Sequence, residues 1–194
     1  MSSCHTTRCT ARRRMSDTAP VLDTDLVAQD FLLSDGQNLV DASRATPLTL
    51  VFLRHFGCTF TRQLLRGLEQ LEQDSAKQGA RLVLVHMLKE GQESRYLGEN
   101  SGVSSISDPK CQLYRAFGLG NGGLLELFGP RVWWLGMKAI IQGCGIGRLA
   151  GNGLHMPGAF VFHQGEIVAS QRARTAADLP DLARLFEDLS LSTH

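Results

Sequence analysis

Two continuous apolar runs predict strands that are buried on both faces of a sheet. The first covers residues 48–53 and the second covers residues 81–88. Between them, apolar side chains recur at helical spacing from Phe60 to Leu71, and Gly79 ends the pattern. A buried strand that is followed by a helix and then by a second buried strand is typical of an α/β protein.

Shorter elements surround this unit, and each is predicted from turn residues and apolar spacing. They are a hairpin with an Asp-Gly turn (30–40), a weak helix (90–100), a strand (103–106), a helix begun by Asp108 and Pro109, a hairpin of strands 159–163 and 166–171, and a helix at about 179–189. Strands that alternate with helices support the α/β class.

One region departs from this alternation. Residues 118–158 contain 12 of the 20 glycines and surround an apolar block at residues 132–141. We interpret the region as a Gly-rich insertion. The block is too short to span a bilayer, so we expect a buried or interface helix. Its Trp133 and Trp134 either cover an active site or simply pack.

Length and charge suit one domain with a tail. The chain has 194 residues, 43% of them apolar, and a formal net charge of +1. We expect a disordered basic tail at residues 1–20 and a single domain at residues 21–194. The near-neutral charge gives no reason to expect nucleic acid as a partner, and no apolar run is long enough for a membrane.

Cysteine and histidine usage indicates the compartment and argues against metal. The five cysteines are odd in number and lack the paired spacing of zinc sites or of secreted disulfide frameworks, which favours a reducing, cytoplasmic setting. The six histidines show no ligand spacing, so we expect neither a metal nor a cofactor. His86, on an apolar strand, is expected to be a core histidine with satisfied hydrogen bonds.

The candidate chemistry lies where the first buried strand meets the helix. Cys58 stands at the predicted start of that helix, where unpaired amides favour a thiolate over a thiol. A helix terminus contributes only about 0.3–1 kcal/mol, so a second cation is needed. Arg54, His55 and Arg62 all lie within four residues of Cys58. Arg62 is the favoured partner because it falls on the first helical turn.

The order of elements over residues 28–190 resembles the thioredoxin fold. Four segments are similar to the alkyl hydroperoxide reductase and thiol-specific antioxidant (AhpC/TSA) superfamily, in particular to its atypical peroxiredoxin-like branch. They are Phe-Leu-Arg-x-Phe-Gly-Cys at 52–58, the Gly-rich insertion at 118–154, Pro-Gly before an apolar strand at 157–162, and a late segment that ends in Ala-Asp-x-Pro at 174–180.

The resemblance implies a central mixed β-sheet flanked by helices, with the Gly-rich insertion before a cis-proline hairpin. It implies that Cys58 stands at the position of a peroxidatic cysteine, which would reduce hydroperoxides through a sulfenic acid. Pro157 would be the cis proline that faces it, and the backbone of Met156 and Pro157 would pair with an extended thiol substrate. Arg172 would reach the cysteine from the hairpin.

The residues around the cysteine suggest donors for a departing oxyanion and candidates for the resolving thiol. Thr61, Arg62, His55 and the first-turn amides are the available donors. Cys144 in the Gly-rich region, or Cys111 at a helix start, could resolve the sulfenic acid. Otherwise an outside thiol such as thioredoxin or glutathione is required. The sequence leaves the oligomeric state open, a homodimer included.

Departures from the family pattern keep two alternatives open. Val51 and His55 stand where the common signature has a proline seven residues and a threonine three residues before the cysteine. Thr61 replaces the second cysteine of a Cys-x-x-Cys pair. The chain could therefore be a thiol-dependent reductase of an organic, lipid endoperoxide-like substrate. It could also be a redox sensor or scaffold that lost turnover and kept a degenerate Cys-x-x-Thr site.

Overall fold

A five-stranded mixed sheet forms the frame of the described structure. The computed structural model describes residues 24–56, 58–97, 102–120, 134, 156–173 and 180–192. The strands are β1 (Leu48–Phe52), β2 (Arg81–His86), β3 (Ser104–Ser107), β4 (Gly158–His163) and β5 (Glu166–Arg172). Their order is β3-β2-β1-β4-β5, with β1, β2 and β3 parallel and β4 antiparallel to both β1 and β5. The predicted mixed sheet is confirmed.

Helices cover both faces of this sheet. Those of the described residues are α1 (Thr24–Ala28), α2 (Leu39–Ala45), α3 (Thr59–Arg66), α4 (Leu68–Lys77), α5 (Ser94–Leu97), α6 (Gln112–Ala116) and α7 (Leu182–Ser192). The predicted long helix after Cys58 is divided at Gly67 into α3 and α4. Within the described part of the chain, no helix has the length and apolarity to cross a membrane.

The central strand separates two hydrophobic clusters. All five residues of β1 are buried, as its continuous apolar run predicts. Phe52 packs on one face with Tyr114 and Phe117 from the α6 region. Val51 belongs to the cluster on the opposite face, to which α3, α4 and α7 contribute. The cysteine loop leaves the end of β1 between these layers.

The predicted short hairpin at residues 30–40 is confirmed at its Asp-Gly turn, where Gly36 has a φ of 85°, and is wrong at its second arm, residues 39–40. Only Leu32 and Asn38 form an antiparallel bridge, and the chain then enters α2, which the sequence analysis missed. Asn38 explains the difference, because its side-chain oxygen accepts the amide hydrogen of Val40 at 2.9 Å and caps the helix. The second hairpin is confirmed, with Gln164 and Gly165 at φ values of 54° and 83° in the turn.

The predicted cis proline is also wrong, because the peptide bond between Met156 and Pro157 is trans. Trans is the more stable isomer of an X-Pro bond by about 0.5–1 kcal/mol. The flanking hydrogen bonds are satisfied with the bond in that state: the Met156 amide donates to the carbonyl of Gly120 at 3.1 Å, and the Ala173 amide donates to that of Pro157 at 3.1 Å.

Several predictions lie outside the described residues. These are the tail at residues 1–20 and nearly all of the Gly-rich insertion, including Trp133 and Cys144. Trp134 is described, and its side chain is 70% exposed. Core packing therefore does not account for Trp134, and its role in covering an active site stays a prediction.

Asp108 caps the start of α6 with its side chain. The sequence predicted a helix that begins near this residue. Its carboxylate accepts the amide hydrogens of Gln112, Leu113 and Tyr114 at 2.8, 2.8 and 3.2 Å. Asp108 is 1% exposed, and burial raises the pKa of its carboxyl while the three amides oppose that rise. The carboxylate thereby satisfies amides that a helix start leaves without partners.

We expect Asp108→Ala to lower the free energy of unfolding by about 2–4 kcal/mol, because it removes a cap and leaves buried amides unpaired. Urea denaturation followed by circular dichroism measures the change. Asp41→Ala is the control, since Asp41 makes only an exposed ion pair with Arg44 at 3.1 Å. Equal losses in the two variants would contradict the capping role.

Candidate functional site

Cys58 occupies the position just before α3. Its φ and ψ angles are −73° and 129°, so it is the extended residue that caps the helix. Its amide donates to the carbonyl of His55 at 2.9 Å, and the Arg62 amide donates to the carbonyl of Cys58 at 3.1 Å. The side chain is 7% exposed and forms no disulfide. The predicted position of Cys58 at a helix N-terminus is confirmed.

Arg54 contacts the sulfur directly. Its Nη1 atom donates to Cys58 Sγ at 3.6 Å, and the residue is 9% exposed. A guanidinium stays protonated throughout the neutral range, so it supplies a permanent positive charge beside a thiolate. Of the three basic residues near Cys58, Arg54 is the one whose charged group contacts the sulfur.

The preference for Arg62 as the local partner is wrong. Arg62 lies on α3, is exposed, and forms no ion pair or side-chain hydrogen bond with any described residue. Its position on the first turn does place it near Cys58 along the helix. The side chain nevertheless extends into solvent, where its charge is screened.

His55 cannot serve as a cation at neutral pH. Burial first, and the charge of Arg54 second, lower its pKa from the ordinary 6.5 to about 4. Its Nδ1 atom is buried without a hydrogen-bond partner in the described structure. The ring is therefore neutral beside the cysteine loop, where it can still donate or accept one hydrogen bond.

The two remaining predicted donors, Thr61 and Arg172, differ in where they lie. Thr61 is 4% exposed on the first turn of α3, in the same helical turn as Cys58. Arg172 is engaged elsewhere. Its Nη2 donates to the carbonyl of Phe117 at 3.1 Å, and its guanidinium lies 5.3 Å from the ring centre of Phe160. None of its described contacts is with Cys58, so the structure does not bring Arg172 to the site.

The proposed substrate-binding backbone is occupied by the fold itself. The amide of Met156 and the carbonyl of Pro157 are both used in hydrogen bonds to Gly120 and Ala173. Met156 is 8% exposed. The expectation that this segment offers free backbone groups to an extended substrate is therefore wrong for those two groups.

The candidate resolving thiols differ in what the structure shows. Cys111 is free, 5% exposed, and precedes α6 with a left-handed φ of 54°. Burial first, and the charge of Asp108 second, raise the pKa of its thiol. Such a thiol is poorly suited to attack, because the thiolate is the nucleophile. Cys144 lies outside the described residues.

Aromatic and polar side chains support the cysteine loop. Phe56 stacks on Tyr96 with ring centres 4.6 Å apart and meets the edge of His86 at 5.9 Å. His86 is buried as predicted. Burial lowers the pKa of its ring, and the charge of Glu93 and a backbone hydrogen bond with Leu88 oppose that change, although neither ring nitrogen meets strict hydrogen-bond geometry with a described residue. The Tyr114 hydroxyl reaches the carbonyl of Leu53 at 2.5 Å.

Sequence analysis missed Tyr114. The signal available was a single phenolic hydroxyl on an otherwise apolar helix face, since a buried tyrosine usually places its hydroxyl on a partner. The pattern gives no information on which partner that is, because Leu53 lies 61 positions away along the chain.

These residues form a recessed nucleophile site. Cys58 directly precedes the first-turn amides of α3, and a buried guanidinium contacts its sulfur. Both groups stabilise negative charge on sulfur and on an oxygen that leaves during attack. The arrangement suits nucleophilic thiol chemistry on a small electrophile.

Comparison with known families agrees with this chemistry. The family model described as AhpC/TSA antioxidant enzyme matches residues 66–175, which is more than half of the chain. The chain belongs to the AhpC/TSA antioxidant enzyme family. The matched residues include Asp108, Tyr114 and Arg172, whereas Arg54 and Cys58 precede them.

Solved structures show the same fold. Peroxiredoxin Q of Xanthomonas campestris is 17% identical, with a TM-score of 0.53, and the match covers 87% of this chain and 94% of that one. A cysteine-to-serine mutant of peroxiredoxin 6 from Arenicola marina is 16% identical, with a TM-score of 0.55, covering 82% and 68%. Peroxidoxin BcpB from Mycobacterium tuberculosis is 16% identical, with a TM-score of 0.50, covering 82% and 88%.

The family model confirms the AhpC/TSA family, and the solved structures confirm the expected fold class. Identities this low carry information on the fold alone. Family and fold together support a thiol-dependent peroxidase or oxidoreductase function. No curated protein sequence gave a significant match.

The contact between Arg54 and Cys58 yields a kinetic prediction. We expect Arg54→Gln to slow alkylation of Cys58 by iodoacetamide at neutral pH by about 10- to 100-fold, because a hydrogen bond to a charged group contributes about 1.5–3 kcal/mol. Mass analysis of the peptide that contains Cys58 separates its reaction from that of the other cysteines.

Arg62→Gln is the matched control, since Arg62 stands four residues after Cys58 as Arg54 stands four before it. We expect this variant to be alkylated at the wild-type rate. We expect Arg54→Lys to be alkylated at a rate between that of the wild type and that of Arg54→Gln. The same slowing in both glutamine variants would show that general charge, rather than the contact, controls the thiolate.

The lowered pKa of His55 predicts acid sensitivity. Between about pH 6.5 and pH 4 the unfolded chain binds a proton at His55 that the folded chain does not, so stability falls as the pH falls through this window. We expect His55→Gln to reduce the stability lost between pH 7 and pH 4 by roughly 1–2 kcal/mol, allowing for partial exposure. Urea denaturation at both pH values measures it; an unchanged difference would contradict the prediction.

Proposed function

We propose that this protein is a thiol-dependent peroxidase that reduces hydroperoxides through the Cys58 thiolate. The contact of 3.6 Å between Arg54 Nη1 and Cys58 Sγ, at the N-terminus of α3, carries the proposal. Membership of an antioxidant enzyme family and a fold shared with proteins named peroxiredoxins support the same chemistry. Burial of Cys58 favours a small oxidant, since 7% of its surface is exposed.

In the first step, a sulfur lone pair of the thiolate attacks the terminal oxygen of the hydroperoxide. An S–O bond forms, the O–O bond breaks, and the hydroxyl stays on sulfur as a sulfenic acid. The other oxygen leaves as an alkoxide, or as hydroxide from hydrogen peroxide, and takes a proton from solvent. Sulfur loses two electrons and the peroxide gains them. Arg54 and the first-turn amides stabilise the negative charge as it moves onto the leaving oxygen.

In the second step, an outside thiol restores the enzyme. Its sulfur attacks the sulfenic sulfur, water leaves, and a mixed disulfide forms. A second thiol then releases Cys58 and carries away the disulfide. Burial and the raised pKa of Cys111 argue against this residue as the resolving thiol. A small thiol such as glutathione, or a protein such as thioredoxin, would take that part, while Cys144 stays an alternative.

Replacement of the nucleophile tests the proposal. We expect hydrogen peroxide to add one oxygen atom to the reduced wild-type protein, in a form that a sulfenic-acid trap captures, and we expect Cys58→Ser to abolish the trapped product. Cys111→Ser is the control and should keep it. Intact-mass spectrometry after a short exposure measures both.

Turnover separates an enzyme from a sensor. An enzyme should consume many equivalents of peroxide per protein molecule when a reductant is present. The reductant is glutathione, or thioredoxin with its reductase. Oxidation that stops at one equivalent would instead support the redox-sensor alternative. Turnover with an organic endoperoxide and none with hydroperoxides would support the endoperoxide reductase. Cys58 that stays reduced under excess peroxide would overturn the peroxidase.

A further inference from the structure

The buried hydroxyl of Tyr114 lies at the point where the chain leaves the sheet for the cysteine loop. Tyr114 has 0% exposure and is on α6, well separated in sequence from the loop. Its hydroxyl is 2.5 Å from the carbonyl oxygen of Leu53 and 3.0 Å from that of Val85, and its one hydrogen is shared between them. Burial raises the pKa of this phenol well above its usual value, so the hydroxyl is a donor at neutral pH.

These two carbonyls lie where the pairing between β1 and β2 ends, that of Val85 in the last pair and that of Leu53 one residue beyond it. The paired register ends at Phe52 and Val85, and the Leu53 amide still donates to the Val85 carbonyl at 2.9 Å. Leu53 therefore has its amide held by β2 and its carbonyl held by Tyr114. Arg54 is the next residue.

The Leu53 carbonyl and the Arg54 amide share one planar peptide group. Fixing the oxygen of that group fixes the plane from which the Arg54 backbone departs. The long arginine side chain must then reach Cys58 Sγ from that starting point, and its contact is 3.6 Å. A small rotation of this peptide plane would move the guanidinium, at the far end of the side chain, by a larger distance.

We propose that Tyr114 is a positioning residue for the pair of Arg54 and Cys58, acting through the Leu53 carbonyl. The two hydrogen bonds of its hydroxyl go to backbone carbonyls and not to the sulfur. The inference rests on the proposed use of Cys58 as a nucleophile, and it assigns to α6 a part in setting thiol reactivity. The competing role is purely structural, since the Tyr114 ring packs edge-on against Phe52 with centres 4.9 Å apart.

Tyr114→Phe separates the two roles, because it keeps the ring and removes the hydroxyl. Positioning predicts that alkylation of Cys58 by iodoacetamide slows by about 2- to 10-fold and that its rate profile moves to more alkaline pH. Thr49→Val is the matched control. It removes another fully buried hydroxyl, that of Thr49 on β1, which pairs at 2.7 Å with the hydroxyl of Ser75 on α4, away from the cysteine loop. We expect it to lose stability without a change in the profile.

A double-mutant cycle tests the route. If Tyr114 acts through Arg54, then Tyr114→Phe should have no further effect on alkylation when Arg54 is already glutamine. Replacing Tyr114 with 4-aminophenylalanine keeps a donor in the same place and should restore the wild-type profile. If Tyr114→Phe does not fold, 3-fluorotyrosine at position 114 keeps the ring and the hydroxyl but alters its strength as a donor, and positioning then predicts a changed alkylation rate only while Arg54 is present.

The inference is overturned if the phenylalanine variant matches Thr49→Val in pH profile, or if its effect is the same with and without Arg54. Alkylation by iodoacetamide measures the reactivity of Cys58 without a peroxide, because the thiolate displaces iodide. A positive cycle in a protein that does not consume peroxide would therefore refute the peroxidase and leave the positioning role intact.

Discussion

A guanidinium that is more than nine-tenths buried imposes the main constraint on this structure. Removing a charge from water costs several kcal/mol unless an opposite charge or hydrogen-bond acceptors compensate for it. Arg54 donates to the Cys58 sulfur, so ionisation of that thiol gives the buried cation an anionic neighbour. The same charge repels a proton from His55 and contributes to the lowered pKa of that ring. One buried arginine thus donates to the cysteine sulfur and helps to keep the neighbouring histidine neutral.

The contact between Arg54 and Cys58 depends on elements that are distant in sequence. β1 and β2 define where the cysteine loop begins, and α3 defines where it ends. Asp108 caps α6, and α6 carries Tyr114 to the point where the pairing between β1 and β2 ends. A substitution in any of these elements can alter the distance between guanidinium and sulfur without touching either group. The site is therefore a property of the packed sheet and helices rather than of the loop alone.

The sequence predicted the parts of this arrangement that local physics controls. The continuous apolar run gave β1, and the Gln164 and Gly165 pair gave the turn of the last hairpin, because positive φ angles limit which residues fit. Cys58 was placed at a helix start because apolar side chains recur at helical spacing only after it. The start of α2 shows the limit of prediction from local pattern. Leu39 and Val40 are compatible with a strand or a helix, and only the hydrogen bond from the Val40 amide to the Asn38 side chain identifies the helix.

The choice between Arg54 and Arg62 needed tertiary information. Both stand four residues from Cys58, and sequence spacing cannot distinguish them. Arg62 is on a helix whose apolar face is turned to the core, so its long side chain takes the solvent side. Arg54 precedes the helix, and its direction follows from where β1 stops pairing with β2. The cis proline failed for a different reason: it was carried over from a family pattern, whereas the neighbouring hydrogen bonds of this chain are satisfied in the trans state.

The start of α3 shows how stability and reactivity oppose each other. A serine, threonine or aspartate before a helix usually accepts a first-turn amide, and replacing it with a residue that cannot costs about 0.5–2 kcal/mol. Cys58 makes no such side-chain hydrogen bond. The Cys58 side chain therefore does not occupy the first-turn amides, and an oxygen bound next to the sulfur is an acceptor of the kind that they bind. A better cap at this position would strengthen the helix and occupy the donors that the proposed reaction uses, so the site keeps a weaker helix start in exchange for an available oxyanion partner.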